Sequence, residues 1–319
     1  MDLELREFVR RRVSLTCAWY LMDDWRMARR LRAGDIRTDS GARHKTASVV
    51  DSVAYVERVH RDYLRYGGVD RFSGVVAEIG PGDNFGVALL MRGDGASQVH
   101  AIDRFWSKRD AARQQAIYAA LSERRGLSHL FDGPPSEESL QGVAYHAGEP
   151  AETFFRRAGL RFDFVVSRAV LEHLYDPLGA LADMAAALEP GGRLIHRIDL
   201  RDHGMFTGHH PLTFLTVPEA VYRRMVAASG RPNRVLLPAY RRWLAESGLA
   251  GSVRITRLVG VDDEIEPAAW DELPPDLRER SCRAVEEIRP RLDRRFRDLP
   301  AGDLAAAGCV LVAARESRP

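Results

Sequence analysis

Cysteine is scarce in this sequence: Cys17, Cys282 and Cys309 are the only three, and they lie far apart. Thiols with no paired spacing give no disulfide framework and no zinc motif, and they suit a reducing compartment, so a cytoplasmic location is expected. Long apolar runs are lacking too. No stretch approaches the roughly twenty residues that cross a bilayer. The start, Met1-Asp2-Leu3-Glu4-Leu5-Arg6, is charged where a secretory signal would be apolar, so no membrane partner is expected. An excess of one charge is missing as well. With 47 basic against 45 acidic residues the net charge is +2, which removes any compositional case for nucleic acid. Lysine is nearly absent, Lys45 and Lys108 being the only two. The clusters Arg10–Arg12 and Arg29–Arg32 read as the solvated face of the first helices.

What is present is enough apolar residue, 45% of 319, to build one large α/β domain with additions. The organising stretch is Gly74 to Leu90. Val75, Val76 and Ala77 form an apolar run, Glu78-Ile79-Gly80-Pro81-Gly82 follows, and Asp83-Asn84-Phe85-Gly86 leads into Val87 to Met91. That order predicts strand, tight turn and helix, with glycines that let the backbone approach a ligand. A second apolar strand, Val99 to Ile102, ends in Asp103, about 20 residues on, where dinucleotide-type folds place a ribose-binding acid. The dinucleotide fingerprint needs a third glycine where this chain has Phe85, and Glu78 would repel a pyrophosphate. A nucleoside with a positive or neutral tail fits better.

Glu78, Gly80, Gly82 and Asp103 resemble motif I of the S-adenosylmethionine (SAM) dependent methyltransferases with a Rossmann-like fold. A second block agrees: the strand Phe164-Val165-Val166 ending in Ser167-Arg168, then Leu171-Glu172-His173-Leu174, a helix through Leu188, the stop Glu189-Pro190-Gly191-Gly192, and a fifth strand Arg193 to Ile198. These are similar to motifs IV to VI of that family. The resemblance implies a seven-stranded, mostly parallel sheet with helices on both faces. It places SAM, with S-adenosylhomocysteine as product, on Glu78, Gly80, Gly82, Asp103 and Arg104, on Gly148 and Glu149 after the third strand (Gly142 to His146), and on Ser167 and Arg168.

The helical spacing of Leu3 to Leu31 and of Thr46 to Tyr66 predicts an N-terminal helical cover over residues 1–72. It precedes a methyltransferase domain, 73–319, that carries a substrate-side insertion at about 201–238. Tyr20 and His44 could reach a substrate from the cover; the alternative is a layer that pads the sheet. Past the fifth strand, Asp199, Asp202, His203, His209 and His210 cluster on the usual ligand side of an open α/β sheet. His173, Asp199 and His203 are the catalytic candidates. Asp202, His209, His210, Tyr20 and His44 are the substrate-binding ones. No metal is expected, because the fourth strand ends in Ser167 where metal-dependent catechol-type enzymes carry an acidic ligand; a metal site around Asp199, Asp202 and His203 is the minor alternative, open on ligand type alone. The end of the fourth strand also lacks the Asp/Asn-Pro-Pro-aromatic motif of enzymes that methylate DNA bases or glutamine.

The whole pattern is most similar to methyltransferases of secondary metabolism acting on sugars and aminoglycosides, as in gentamicin-type antibiotic pathways. The expected partner is therefore a small-molecule acceptor, and the expected reaction is N-methylation of an aminosugar. O-methylation of a glycoside hydroxyl, or a non-catalytic SAM-binding partner subunit, are the alternatives. A homodimer is compatible with the sequence.

Overall fold

The computed structural model describes residues 11–38, 41–157 and 159–317. The helical positions expected at Leu5, Phe8 and Val9 lie outside them. Among the described residues the central sheet has seven strands: β1 (Gly74–Ile79), β2 (Ala96–Asp103), β3 (Val143–Ala147), β4 (Phe162–Arg168), β5 (Leu188–Asp199), β6 (Ala250–Leu258) and β7 (Ala306–Ala314). Their order is β3-β2-β1-β4-β5-β7-β6, parallel except where β7 runs against both β5 and β6. The α/β class and the seven-stranded, mostly parallel sheet are those the resemblance implies.

Alternation along the strands creates two cores. Ala77, Val165 and Leu194 face one side, with Phe154, Phe155, Leu181 and Met184 of the helices Ala151–Arg157 and Pro177–Ala186. Their neighbours Val76, Phe164, Val166 and Ile195 face the other. A sheet buried on both faces has to be apolar at successive positions, hence the continuous runs that mark these strands.

On the second face lie α1 (Val49–Gly67), α2 (Gly86–Asp94) and α3 (Ala111–Arg125). Ser48 caps α1 by accepting the Asp51 N–H at 3.0 Å, and Gly68 closes it in the left-handed conformation. Val53, Val56, Val59 and Tyr63 of α1 are buried against the sheet, each contributing about 2 kcal/mol. This helix is thus the padding layer that its periodicity left as the alternative. The first helix, α4 (Val13–Arg32), packs instead against the helix Glu219–Met225 of the segment after β5.

A third core gathers Cys17 of α4 with Met205, Phe206, Leu212, Phe214 and Tyr222 of the segment after β5, and with Val285, Ile288 and Phe296 near the C-terminus. The cover and the insertion meet there. Asp24 accepts the N–H groups of Ala228 and Ser229 at 2.8–3.1 Å, Asp23 pairs with Arg231, and the Arg231 guanidinium lies 4.4 Å from the Tyr20 ring centre.

One local expectation is corrected. Pro190-Gly191-Gly192 does not terminate the preceding helix, which ends at Ala186; these residues lie within β5, which starts at Leu188. The glycines sit at a shift in the β4–β5 register, where a Cβ on Gly192 would come within 2.8 Å of the Phe162 carbonyl oxygen. Among the described residues no helix is long and apolar enough to cross a membrane.

Candidate active site

β1 ends at Ile79, and the turn that follows depends on two glycines. Gly80 (φ +71°) donates its N–H to the Ile102 carbonyl at 2.8 Å, and a Cβ there would lie 2.5 Å from Cγ2 of Val170. Gly82 (φ +72°) would bring a Cβ within 2.8 Å of the Gly41 carbonyl oxygen. Both positions need left-handed backbone and both are hemmed in, so glycine alone fits.

The segment that crosses Gly82 is laced to the turn by Asp83, which is fully buried. Its carboxylate accepts the N–H groups of His44 at 3.3 Å and Lys45 at 2.9 Å, while its own N–H donates to the Gly41 carbonyl at 3.3 Å. His44 is buried beside Tyr55 and belongs to this clamp, and burial lowers its pKa. Arg109 donates to the Gly82 carbonyl at 3.2 Å and stacks on Phe85 and Tyr145 at 4.6 and 4.4 Å.

Asp103 closes β2 with a carboxylate that accepts the N–H groups of Phe105 and Gly82. Burial outweighs these bonds and the nearby Arg109, and pushes its pKa up to about 7. Glu78, fully enclosed one strand away, is pushed up to about 8, first by burial and then by the charge of Asp103; its Oε2 has no hydrogen-bond partner. Near neutral pH the two carboxyls therefore carry fewer than two charges. Gly148 and Glu149 donate their N–H groups to the Asp103 carbonyl at 2.8 and 3.2 Å, which holds the ends of β2 and β3 together. The Glu149 side chain is half exposed.

The remaining residues expected around the cofactor have protein partners. Arg104 pairs with Glu152 at 2.5 Å and lies 3.9 Å from the Tyr175 ring centre. Ser167 is enclosed in the sheet, its hydroxyl 2.8 Å from Nδ1 of His196 on β5. Arg168 pairs with Asp62 of α1 at 2.8 Å.

At the ends of β4 and β5 the structure brings His173, Asp199 and His203 together, around a residue the sequence reading passed over, Glu172. The turn Leu171–His173 follows β4, and Glu172 within it is buried. Its Oε1 accepts the Asp199 N–H at 3.3 Å and lies 3.5 Å from Nε2 of His203; Oε2 has no partner. His203 Nε2 is also 3.7 Å from Asp199, whose carboxylate is held by Arg201 at 2.5 and 2.8 Å. The imidazoles of His173 and His203 meet edge to face with centres 4.7 Å apart.

His173 Nδ1 lies 2.7 Å from the Gly230 carbonyl. A carbonyl only accepts, so Nδ1 carries the proton and Nε2 keeps its lone pair. Burial is the main cause of the lowered pKa of His173. Burial would lower that of His203 as well, but Glu172 and Asp199 more than offset it and the net shift is upward. For Asp199 the Arg201 guanidinium outweighs burial and the pKa falls.

Among the described residues only Ala169 and His203 adopt positive φ without being glycine, at 55° and 51°, and both flank this cluster. The other substrate candidates make contacts of their own. Asp202 accepts the N–H groups of Gly204 and Phe206 at 2.9 and 2.8 Å and so shapes its own turn. His209 donates its N–H to the Phe206 carbonyl, and His210 accepts that of Leu212 while facing Ala284 and Glu287. Tyr20 is in the cover, under Arg231. The signal for Glu172 was its place inside Leu-Glu-His-Leu. That for Asp83 was a carboxylate directly after the second glycine.

A family model described as a methyltransferase domain matches residues 53–251. The chain belongs to that family. The match starts within α1, in keeping with that helix being part of the sheet's padding. No curated protein sequence matches the chain. Solved structures similar to this methyltransferase include the [4+2]-cyclase SpnF, 17% identical over 82% of this chain and 81% of that one, with a TM-score of 0.40. Phosphoethanolamine N-methyltransferase 2 of Haemonchus contortus, in complex with SAM, is 16% identical over 82% and 53%, with a TM-score of 0.41. The N-methyltransferase NodS of Bradyrhizobium japonicum, in complex with S-adenosylhomocysteine, is 14% identical over 82% and 87%, with a TM-score of 0.38.

The residues of the turn suit the cofactor of such an enzyme, SAM. The glycines form a cradle that a Cβ would fill, Asp103 offers a carboxylate for hydroxyl groups, and Glu78 holds an unpartnered oxygen beside it.

Proposed function

We propose that this methyltransferase moves the methyl group of SAM to a small polar acceptor of the aminosugar or glycoside class. The observation that carries the reading is the junction of two sites. Val170, which fills the space over Gly80, lies two residues before Glu172. The glycine turn and the Glu172–His173–Asp199–His203 cluster therefore abut across a single side chain.

When bound, SAM supplies a methyl group already activated as a sulfonium. The chain's own part is to align the acceptor and exclude water, which can supply about 7 kcal/mol or more through proximity. Asp103 would accept the ribose hydroxyls and the backbone at Gly80 and Gly82 would hold the rest of the cofactor, while Arg109 with Gly41 to Lys45 fixes the turn. On the acceptor side Asp199 and Glu172 attract a cationic amine, and the imidazole of His203 stands between them to take a proton. These roles give the cluster a use that a SAM-binding partner subunit without catalysis would not have.

An amine, the acceptor class favoured from the sequence, needs only to arrive neutral. A second reading, transfer to a hydroxyl, has its own support: a hydroxyl must lose its proton during attack, and an imidazole set between two carboxylates is a base for that purpose. The test is calorimetric titration with SAM and S-adenosylhomocysteine, then mass spectrometry against a panel of aminoglycosides and neutral glycosides. The expected result is binding and a gain of about 14 Da, one CH₂, on a member of the panel. Binding with no product from any member would overturn the acceptor class; no binding would overturn the assignment of the glycine turn.

A further inference from the structure

We infer that Glu172, His173 and His203 form a binding site for a divalent transition-metal ion. The inference rests on the reading that this cluster faces the acceptor and deepens its hydroxyl form: His203 Nε2 then serves as a ligand, and the ion, in place of the imidazole, makes the hydroxyl proton easier to lose. Each of the three residues offers one ligand atom, and those atoms lie within 4.8 Å of one another. Two ligand atoms bound to one ion at about 2.05 Å are about 3.3 Å apart at a tetrahedral angle and about 4.1 Å apart when opposed. The 3.5 Å between Glu172 Oε1 and His203 Nε2 falls in that range.

The same distances argue against a plain hydrogen-bonded pair. A charge-assisted bond from imidazole to carboxylate is about 2.7–2.9 Å long, whereas His203 Nε2 is 3.5 Å from Glu172 and 3.7 Å from Asp199.

Three further observations point to a ligand. Glu172 is 1% exposed, yet its Oε2 has no partner; a buried carboxylate oxygen left so is costly unless it binds something. His173 donates its Nδ1–H to the Gly230 carbonyl, the outer contact that orients a metal-bound histidine and leaves Nε2 for the ion. His203 is held at φ +51°, a strained conformation for a residue with a Cβ, and this places its ring against Glu172 and His173. The His203 side chain is 30% exposed, which gives an ion a way in from solvent.

Two imidazoles and one carboxylate suit Zn²⁺, Co²⁺, Mn²⁺ or Fe²⁺, and not Mg²⁺ or Ca²⁺, which take oxygen ligands. Three protein ligands leave a place for an acceptor hydroxyl, the second of the two acceptor readings above. A hydroxyl bound there loses its proton to solvent more readily. Its oxygen then forms the bond to the methyl carbon as the carbon–sulfur bond breaks, and sulfur keeps the electron pair.

The test uses untagged full-length protein stripped with a chelator and titrated with Co²⁺, followed by visible absorption. The expected result is one Co²⁺ per chain, displaced by Zn²⁺, with affinity lowered at least about tenfold in His203→Asn and in Glu172→Gln. Circular dichroism checks the fold, and His203→Asn, at a partly exposed position, decides the matter should Glu172→Gln fail to fold. No uptake by the wild type, or equal uptake by the variants, overturns the site. SAM titration of the same sample keeps the two readings apart. SAM binding without Co²⁺ uptake sinks the metal site alone, and Co²⁺ uptake without SAM binding sinks the cofactor assignment alone.

Discussion

Replacing Asp103 by Asn tests the cofactor site through affinity and through pH. The Asp103 carboxylate already accepts two backbone N–H groups, from Gly82 and Phe105, so it is held in place before any ligand arrives. Hydrogen bonds from ribose hydroxyls to an ionised carboxylate contribute about 1.5–3 kcal/mol each. Losing the charge while keeping the shape should cost about 3 kcal/mol, or roughly a hundredfold in affinity for SAM.

The pH dependence follows from the raised pKa of about 7. Below that value the free enzyme carries a protonated Asp103, and ionising it for the ligand lowers affinity about tenfold per pH unit. Wild-type affinity should thus rise with pH and level off above 7, while Asp103→Asn stays flat.

Stability runs the other way. Because the folded pKa lies above the ordinary 3.8, the native state holds the proton more tightly between these two values. The resulting stability is present in full below about 4 and is lost as pH rises through 7. The span is about 4 kcal/mol. Without cofactor, Asp103→Asn should therefore lose less of its melting temperature than the wild type between pH 5 and pH 8, taken on either side of the raised pKa. Calorimetry at several pH values, with Glu78→Gln as control, reads all of this. Equal affinity in the Asn variant, or a pH slope that persists in it, would refute the assigned contact.

Other perturbations probe the surroundings. Gly80→Ala combines left-handed strain of about 1–2 kcal/mol with a methyl group 2.5 Å from Val170, so SAM affinity should fall; adding Val170→Ala should recover part of the loss, and full recovery would show that the backbone conformation does not matter. Asp83→Ala removes the acceptor of two buried N–H groups and should lower stability by about 3 kcal/mol in urea denaturation. An unchanged midpoint would mean that Gly41 to Lys45 is not held by this clamp. Asp24→Ala frees the N–H groups of Ala228 and Ser229, and hydrogen exchange there should accelerate while exchange in β1 does not. Exchange at the wild-type rate would disconnect the cover from the insertion.

The parts legible in the sequence are those fixed by short-range rules. The glycine turn is a local conformational demand, and the strands are apolar runs because parallel strands are buried on both sides. Asp103 was found by its distance from Gly82 along the chain. Where only a neighbour in space decides, the reading stopped short. Ser167 and Arg168 close a strand as expected, but which way they point depends on His196, 29 residues later, and on Asp62, 106 residues earlier. Pro190-Gly191-Gly192 has the local chemistry of a helix stop; it is drawn into β5 because Gly192 fits beneath the Phe162 carbonyl. The clamp on the turn was invisible for another reason. It is made by the backbone groups of Gly41, His44 and Lys45, and backbone groups leave no mark in a sequence.

The Glu172–His203 cluster departs from local rules in a way that bears on the proposed function. A left-handed residue with a side chain costs free energy that glycine would not. The chain uses glycine for the purpose at Gly80, Gly82, Gly148 and Gly204, yet at Ala169 and His203 it does not. Ala169 is held by donating its N–H to the Arg197 carbonyl at 2.8 Å, which ties the end of β4 to β5 just before the Glu172 turn. His203 is held by its ring, between Glu172, Asp199 and His173. Glycine at 203 would relieve the backbone and remove the imidazole, so the side chain is what the strain retains. Where most local choices among the described residues agree with the fold and these two do not, something other than folding sets the residue. Here that place is the junction of the glycine turn with the Glu172–His173–Asp199–His203 cluster.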